Sequence, residues 1–241
     1  MTSAPEPRRR DAANRLARHG VEVLFEDNHV LCVSKPAGLL SQGGPRGEAS
    51  LPDLVAAYRR EAEGKAGRAF VGLVHRLDRN VSGALVLAKT TKAASRLAAT
   101  FRGREGLVKS YLAWVGGVPE PRAGALVDRL ARAGGMTHVD AGGREARLGY
   151  VVEGTGPDSA RVRVDLETGV THQIRAQFAS AGHPLVGDAK YGGRKGARPA
   201  LHARRLAFPH PVGGAVVDVV APVPEDLVAL DRALRIRPPL A

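Results

Sequence analysis

The chain has 241 residues, of which 44% are hydrophobic and 4% aromatic, and its formal net charge is +12. This length is enough for one well-buried core, and the basic excess favours a polyanionic partner such as RNA or DNA. A chain rich in Arg, Ala and Gly is also typical of a GC-rich genome, so charge alone leaves the partner open. The single cysteine, Cys32, excludes an intrachain disulfide, and no apolar run approaches the ~20 residues that cross a bilayer. We therefore expect a cytoplasmic chain with no membrane segment.

Residues 1–20 are rich in proline at first and carry five arginines: Arg8, Arg9, Arg10, Arg15 and Arg18. We predict a flexible basic arm that has room for a helical turn. Both a contact with phosphates and a merely solvated tail are compatible with this composition.

The first regular structure predicted is a hairpin. Residues 21–25 alternate as in a strand, residues 30–33 are an apolar run of strand length, and the polar residues 26–28 between them favour a turn. The second run leads into residues 34–38, where Pro36 and Gly38 predict a tight loop with Lys35 at its tip. Lys35 is then either a phosphate contact or a solvated lysine.

The stretch from 74 to 89, VHRLDRNVSGALVLAK, combines a polar segment with a short apolar strand. Asp78 lies between Arg76 and Arg79, whose positive charges favour the ionised carboxylate. A rigid strand beside it is a good mount for a reacting group, which makes Asp78 a candidate nucleophile. On these residues alone, an ordinary surface ion pair explains the same pattern more simply.

The remaining elements alternate between strands and helices. Ser50, with Asp53 three residues on, predicts a capping box, and Thr90 or Thr91 predicts the start of a helix that runs to about Arg102. Strands are predicted at 108–115, 146–152, 160–166 and 216–220, and a final helix is predicted after Pro224. The Gly- and Pro-rich residues 116–143 are the least informative part of the chain.

Two polar clusters accompany these later elements. On the strand at 108–115, Lys109 and Tyr111 share one face, as base stacking beside a phosphate requires, although a core tyrosine is the usual explanation. Further on, we predict that Thr171 caps a helix with His172 and Arg175 on its first turn. A cation there opposes the helix dipole, and a residue placed against local preference hints at function.

Several of these motifs resemble, in the same order, those of the RluA-type pseudouridine synthases, a family of RNA-modifying enzymes. The resemblance spans about residues 21–235. It rests on HRLDRNVSG at 75–83, the Lys-Pro-Ala-Gly segment at 35–38, a Lys-x-Tyr ending at 111, LETGVTHQIR at 166–175, GHPLVGD at 182–188, and the Leu-His-Ala and His-Pro segments at 201–211.

The resemblance implies an isomerase that detaches uracil from its ribose, turns it and rejoins it through carbon, after flipping the base out of its stack. In this family the aspartate corresponding to Asp78 is catalytic, the tyrosine corresponding to Tyr111 packs on the target base, and the arginine corresponding to Arg175 pairs with the aspartate. RNA-binding roles follow for Lys35, Arg76, Arg79, Lys109, His172 and Gln173. No metal, redox cofactor or nucleotide cofactor is implied, and we expect a monomer that acts on ribosomal or transfer RNA.

Two positions depart from the family pattern. Val81 replaces a threonine and removes a hydroxyl, and Val170 replaces an arginine and removes an RNA-facing charge. Two alternatives to the synthase stay open: a non-catalytic RNA-binding or ribosome-assembly protein that kept the fold, and a nucleosidase or glycosylase that uses Asp78 at a ribose carbon.

The predicted architecture is α+β, with a mixed, mostly antiparallel central sheet, flanking helices and a basic catalytic cleft, as in the pseudouridine synthase fold. We assign residues 1–20 to the arm, 21–235 to a single catalytic domain and 236–241 to a tail.

Overall fold

The computed structural model describes residues 6–44, 47–64, 66–67 and 69–238. Within these residues the fold is α+β. Its strands are β1 (Glu22–Glu26), β2 (Val30–Lys35), β3 (Gly72–Leu73), β4 (Ser82–Ala88), β5 (Val108–Gly116), β6 (Ala123–Ala133), β7 (Met136–Val139), β8 (Arg144–Thr155), β9 (Ser159–Leu166), β10 (Leu201–Pro209) and β11 (Val216–Val220). Its helices are α1 (Glu6–Arg18), α2 (Leu51–Ala62), α3 (Thr91–Gly103), α4 (Gln173–Ser180) and α5 (Glu225–Ala233), with a 3-10 turn at Ala189–Tyr191.

The chain divides into two compact units, and the single catalytic domain over 21–235 stays a prediction. The first unit consists of Met1–Leu107 and Arg205–Pro222, and the second consists of Val108–Arg204 and Val223–Ala241. Strand β10 passes from the second unit into the first, between Arg204 and Arg205. Apolar periodicity along the sequence does not reveal such a division, because each unit collects segments from distant parts of the chain.

The first unit is built on the strand order β1–β2–β4–β10, with β3 beside β4 and β11 beside β10. Strands β1 and β2 form the predicted antiparallel hairpin, and β2 pairs antiparallel with β4. Every residue of β4 is buried, as its continuous apolar run predicts. Helix α3 contributes Ala93 and Leu97 to the core that β2, β4, β10 and β11 share.

The second unit has the strand order β5–β9–β8–β6–β7, and the pairs β5–β9, β9–β8, β8–β6 and β6–β7 are all antiparallel. Trp114 on β5 is buried in a cluster to which α5 contributes Leu227. The Trp114 indole N–H donates to Asp231 Oδ1 at 2.6 Å, and Arg161 on β9 binds the other oxygen of that carboxylate. These polar contacts hold α5 against β5 and β9.

Residues 6–18 form a helix where we predicted a flexible arm. Ala12 and Leu16 of α1 are buried, and Arg15 Nη2 lies 2.8 Å from Glu61 Oε1 on α2. Two apolar side chains four residues apart form one buried face of the helix. Two are too few to give the sequence a clear helical periodicity among so many arginines. The first five residues of the predicted arm lie outside the described residues.

Two predicted helix starts are confirmed. The Asp53 carboxylate accepts hydrogen bonds from the Ser50 backbone N–H (3.0 Å) and hydroxyl (2.6 Å), and the Thr90 hydroxyl accepts one from the Ala93 N–H at 3.1 Å. Such caps satisfy N–H groups that have no partner within the helix. In the described part of the chain, no helix is both long and apolar enough to span a bilayer.

Candidate active site

Asp78 lies in the loop between β3 and β4, and the backbone on both sides of it is held by hydrogen bonds. On one side, the Ser41 hydroxyl donates to the Leu77 carbonyl at 2.7 Å, and the Leu77 N–H approaches the same hydroxyl oxygen at 3.2 Å. On the other side, the Gly38 N–H donates to the Arg79 carbonyl at 2.8 Å. Asp78 itself is half-buried. A side chain on such a braced loop keeps its direction, as a reacting group requires.

Lys35 is one of the braces and does not stand at a solvated loop tip. Its side chain is fully buried, and its ammonium donates to the carbonyls of Pro36 (2.8 Å), Leu39 (2.8 Å) and Arg79 (3.2 Å). The Pro36 and Gly38 turn bends the chain back over the lysine, so that three carbonyls converge on one cation. A buried ammonium needs such acceptors, and this geometry gives Lys35 a structural role in the loop.

Arg76 and Arg79, in contrast, are exposed on the two sides of Asp78. Arg79 Nε donates to the Gly38 carbonyl at 3.0 Å, and its Nη1 lies 3.0 Å from Glu48 Oε2. Arg76 Nη1 donates to Gln42 Oε1 at 3.4 Å. These are surface contacts, which contribute little free energy in water, so both guanidinium groups remain accessible to a phosphate.

His75, a residue with no role predicted from the sequence, anchors the start of the same loop. Its Nε2 accepts a hydrogen bond from the Val86 N–H of β4 at 3.1 Å, and its ring stacks on Phe101 of α3 with centroids 4.5 Å apart. The imidazole thus replaces a strand carbonyl just beyond the end of β3. Val81, where a hydroxyl is missing, is buried.

In the second unit, Tyr111 lies on β5, directly opposite Val164 of β9, and only 8% of it is exposed. Lys109 lies two residues earlier, as the alternation of a strand predicts, and its ammonium donates to the Thr168 carbonyl at 3.3 Å. The side chain of Lys109 therefore reaches the loop that precedes α4, and Tyr111 lies two residues further along the same strand.

Arg175, on the first turn of α4, is held by a buried carboxylate. Its Nε and Nη2 donate to the two oxygens of Asp188 at 2.6 and 2.7 Å, and the two side chains are 9% and 1% exposed. The guanidinium carbon also lies 4.8 Å from the centroid of the Tyr191 ring. A bidentate pair fixes both the position and the plane of the guanidinium. The cation on this first turn, unusual for a helix start, thus has its own counter-charge.

The position of Asp188 depends on glycine. Gly187 has a φ of +78°, and a Cβ built there would lie 2.0 Å from the Arg198 carbonyl oxygen. Only glycine fits this turn. Segment 182–188 resembles a family motif, but its sequence alone assigns no role to Asp188, because the partner of Asp188 lies 13 residues away and on another element.

His172 and Gln173 have different surroundings, although they are neighbours. His172, with a φ of +56°, is the N-terminal cap position of α4, where we had predicted Thr171, and its Nδ1 lies 2.9 Å from the Tyr191 hydroxyl. That hydroxyl also accepts a hydrogen bond from the Thr137 N–H of β7. His172 and Arg175 therefore share Tyr191 as a neighbour.

Gln173 is 3% exposed, and its side-chain amide is engaged on both sides. Its oxygen accepts from the Thr168 hydroxyl (2.8 Å) and the Val170 N–H (3.1 Å), and its nitrogen donates to the Arg147 carbonyl (3.1 Å) and to Gln177 (3.0 Å). These bonds hold the loop before α4 against β8. These bonds give Gln173 a structural role, because a buried amide needs hydrogen-bond partners, and its predicted RNA contact stays a prediction.

Val170, the second departure from the family pattern, packs on a cluster that contains Leu130, Ala146, Ala176 and Tyr191. An apolar contact within the second unit thus takes the place of a charge. In the residues that the structure describes, no three His, Cys, Asp or Glu side chains are close enough together to hold a metal ion.

Comparisons with known proteins agree with this fold and with the arrangement of motifs. The chain matches the family model for RNA pseudouridylate synthase over residues 29–180. It is 39% identical to a protein of Xanthomonas campestris named ribosomal large subunit pseudouridine synthase D, over 89% of this chain and 70% of the relative. It is 33% identical to a Bacillus subtilis protein named uncharacterized RNA pseudouridine synthase YhcT, over 92% of this chain and 75% of that protein.

A solved structure with a similar fold is human RNA pseudouridylate synthase domain containing 4, with a TM-score of 0.78, 24% identity, and coverage of 96% of this chain and 98% of that one. The α+β fold is thus that of the pseudouridine synthases, enzymes that isomerise uridine within RNA. The chain belongs to the RNA pseudouridylate synthase family and, as its motifs predicted, to the RluA type. It is therefore an isomerase with an RNA substrate.

Proposed function

We propose that the chain converts specific uridines of ribosomal RNA to pseudouridine, with transfer RNA as the second candidate substrate. The ribosomal assignment is supported by relatives from Xanthomonas campestris and Zymomonas mobilis, at 39% and 34% identity, whose names specify the large ribosomal subunit. The observation that carries the catalytic assignment is the loop of Asp78, which is braced at Leu77 by Ser41 and at Arg79 by Gly38 and Lys35.

In this proposal Asp78 acts when the uracil–ribose bond is broken and while the base turns. The family resemblance supports this role, and the braced loop supports it physically, because a carboxylate that reacts with a flipped nucleotide must hold its position as the base moves. The bond between ribose C1′ and uracil N1 breaks and a bond between C1′ and C5 forms. C5 loses its hydrogen to solvent as a proton and N1 gains a proton, so the product is an isomer of uridine and the chemistry consumes no co-substrate.

Arg175 and Tyr111 are assigned to the same uridine. The resemblance gives Arg175 the task of keeping the catalytic aspartate ionised, and Tyr111 the task of stacking on the base. The Asp188 pair supports the first role, because it presents the guanidinium in one orientation. The place of Tyr111 on a paired strand supports the second role, because a stacking platform has to be rigid.

Arg76, Arg79 and Lys109 are the proposed phosphate contacts. The two arginines are exposed, and the lysine ammonium donates to the Thr168 carbonyl in the loop before α4 at 3.3 Å. His172 is a further candidate because its ring is partly exposed. Lys35 and Gln173 are better explained as structural, since backbone groups surround their polar atoms.

Tritium release tests this proposal. Ribosomal and transfer RNA transcripts labelled at C5 of uracil are incubated with wild type and with Asp78→Asn. We expect release by the wild type and none by the variant, with RNA affinity unchanged, because the amide keeps the shape of the carboxylate and loses its charge.

Product analysis separates the alternatives. Pseudouridine retained in the RNA supports the synthase, free uracil indicates a glycosylase, and RNA binding without either product indicates a non-catalytic RNA-binding protein. Near wild-type turnover by Asp78→Asn would refute the role of Asp78. We also propose that the enzyme acts in the cytoplasm as a monomer, which cell fractionation and sedimentation would test.

A further inference from the structure

Helix α1 carries a concentration of basic charge on a rigid support. It contains five arginines and two acidic residues, and Arg8, Arg10 and Arg18 are exposed. Ala12 and Leu16 are buried, and the ion pair between Arg15 and Glu61 adds a contact with α2. The arginines therefore occupy defined places on the protein surface, where a solvated arm would spread them over a large volume.

The end of this helix adjoins the loops around Asp78. After α1, the chain turns at Gly20, which packs so closely on Pro36 that an added Cβ would lie 3.3 Å from the Cβ of the proline. Two residues beyond Pro36, Gly38 donates its N–H to the Arg79 carbonyl and accepts a hydrogen bond from Arg79 Nε. A series of direct contacts within the first unit thus leads from α1 to the residue that follows Asp78.

We propose that α1 is a docking surface for the phosphate backbone of the RNA substrate and continues the phosphate contacts of Arg79. A flipped uridine at Asp78 is flanked by the rest of its strand, and a basic helix beside that loop neutralises phosphates of the flanking nucleotides. The helix is about 20 Å long by the rise per residue of an α-helix, enough to face several phosphates. A lipid surface is a poorer match, because the apolar face of α1 is buried on α2.

The inference rests on the proposed function in two respects: the substrate is RNA, and the target uridine binds at Asp78. It does not require Asp78 to be catalytic. The test is the salt dependence of binding to the ribosomal and transfer RNA transcripts of the tritium assay, measured whether or not that assay detects isomerisation. The variant is the triple substitution Arg8→Gln, Arg10→Gln and Arg18→Gln, which leaves the Arg15–Glu61 pair intact and keeps good helix formers. The matched control makes the same three charge changes at exposed arginines of the second unit: Arg232, Arg235 and Arg237.

We expect the slope of log affinity against log salt to become shallower by about two for the α1 variant, since each lost phosphate contact removes about 0.7 to 0.9. Affinity falls while kcat stays unchanged, and the control retains the slope of the wild type. An unchanged slope in the α1 variant would overturn the proposal. An equal decrease of the slope in the control would also overturn it, because it would show an effect of net charge alone.

Two further measurements keep the outcome interpretable. Circular dichroism and thermal unfolding must show that the α1 variant is folded, since the three side chains are exposed. Co-sedimentation with phosphatidylglycerol vesicles tests the lipid alternative: binding lost in the α1 variant, with RNA binding intact, would assign the surface to a membrane and refute the proposal. Failure of isomerisation in the tritium assay leaves the binding measurement valid, so the two proposals fail separately.

Discussion

Replacing Asp188 with asparagine breaks the ion pair that holds Arg175, and the structure sets the size of the effect. The pair has two hydrogen bonds of 2.6 and 2.7 Å, and its side chains are 1% and 9% exposed. Asparagine keeps one acceptor oxygen, turns an amide N–H₂ towards a guanidinium N–H, and leaves a buried cation without its counter-charge. Removing one partner of a buried pair costs about 3–5 kcal/mol of the free energy of unfolding.

Equilibrium unfolding in guanidinium chloride measures this cost. Trp114 is the only tryptophan and lies in the same unit as the pair, so its fluorescence reports the unfolding of that unit. The double variant Arg175→Met with Asp188→Leu is the control, because replacing both charges by apolar groups of similar volume recovers most of the loss. A loss below ~1 kcal/mol in Asp188→Asn, at an unchanged denaturant slope, would show that the pair does not anchor Arg175.

Two further predictions concern buried groups of the first unit. Lys35→Met leaves three carbonyls without their ammonium and should lower the free energy of unfolding by about 2–3 kcal/mol. The salt dependence of RNA binding should stay that of the wild type. A shallower dependence of log affinity on log salt would show instead that Lys35 contacts a phosphate. Burial raises the pKa of the Cys32 thiol to about 12, with a smaller contribution from the charge of Asp27. At pH 8 about one native thiol in ten thousand is then ionised, and iodoacetamide should modify Cys32 only after unfolding. The unfolded state loses this proton near the ordinary thiol pKa, whereas the folded state retains it. Cys32 therefore makes the free energy of unfolding fall as pH rises beyond about 9. Rapid alkylation of the native protein would contradict both expectations.

Elements with strong local patterns were predicted well from the sequence. The run at β4 is continuous and apolar because both of its faces are covered, and the caps at Ser50 and Thr90 depend on residues within three positions of each other. Hairpin β1–β2 likewise depends on neighbours in the chain, including Asp27, whose carboxylate accepts the N–H groups of His29 and Val30 at the turn.

Elements without such a pattern were missed. Strand β6 is mostly exposed, with Leu130 as its one buried residue, and its sequence lacks the apolar and polar alternation that identifies a half-buried strand. Val127 is apolar but exposed, and Asp128 lies on the less exposed side. The polar residues of the site show a second limit. Lys35 and Gln173 carry the same chemistry as surface contacts, and only the three-dimensional arrangement reveals the carbonyls around them. Asp188 was missed for the same reason, since a pairing between distant residues has no periodicity.

The division of β10 between the two units constrains the order in which the protein is completed during synthesis. The first unit takes its last strands from Arg205–Pro222, which follow almost the whole of the second unit in the chain. A nascent chain ending at Leu107 has β1 to β4 but lacks β10, the neighbour of β4 in the strand order, and β11, which pairs with β10. The unit that carries Asp78 therefore stays incomplete on the ribosome until more than two hundred residues have been made, and neither unit is obtained as one continuous fragment by truncating the gene.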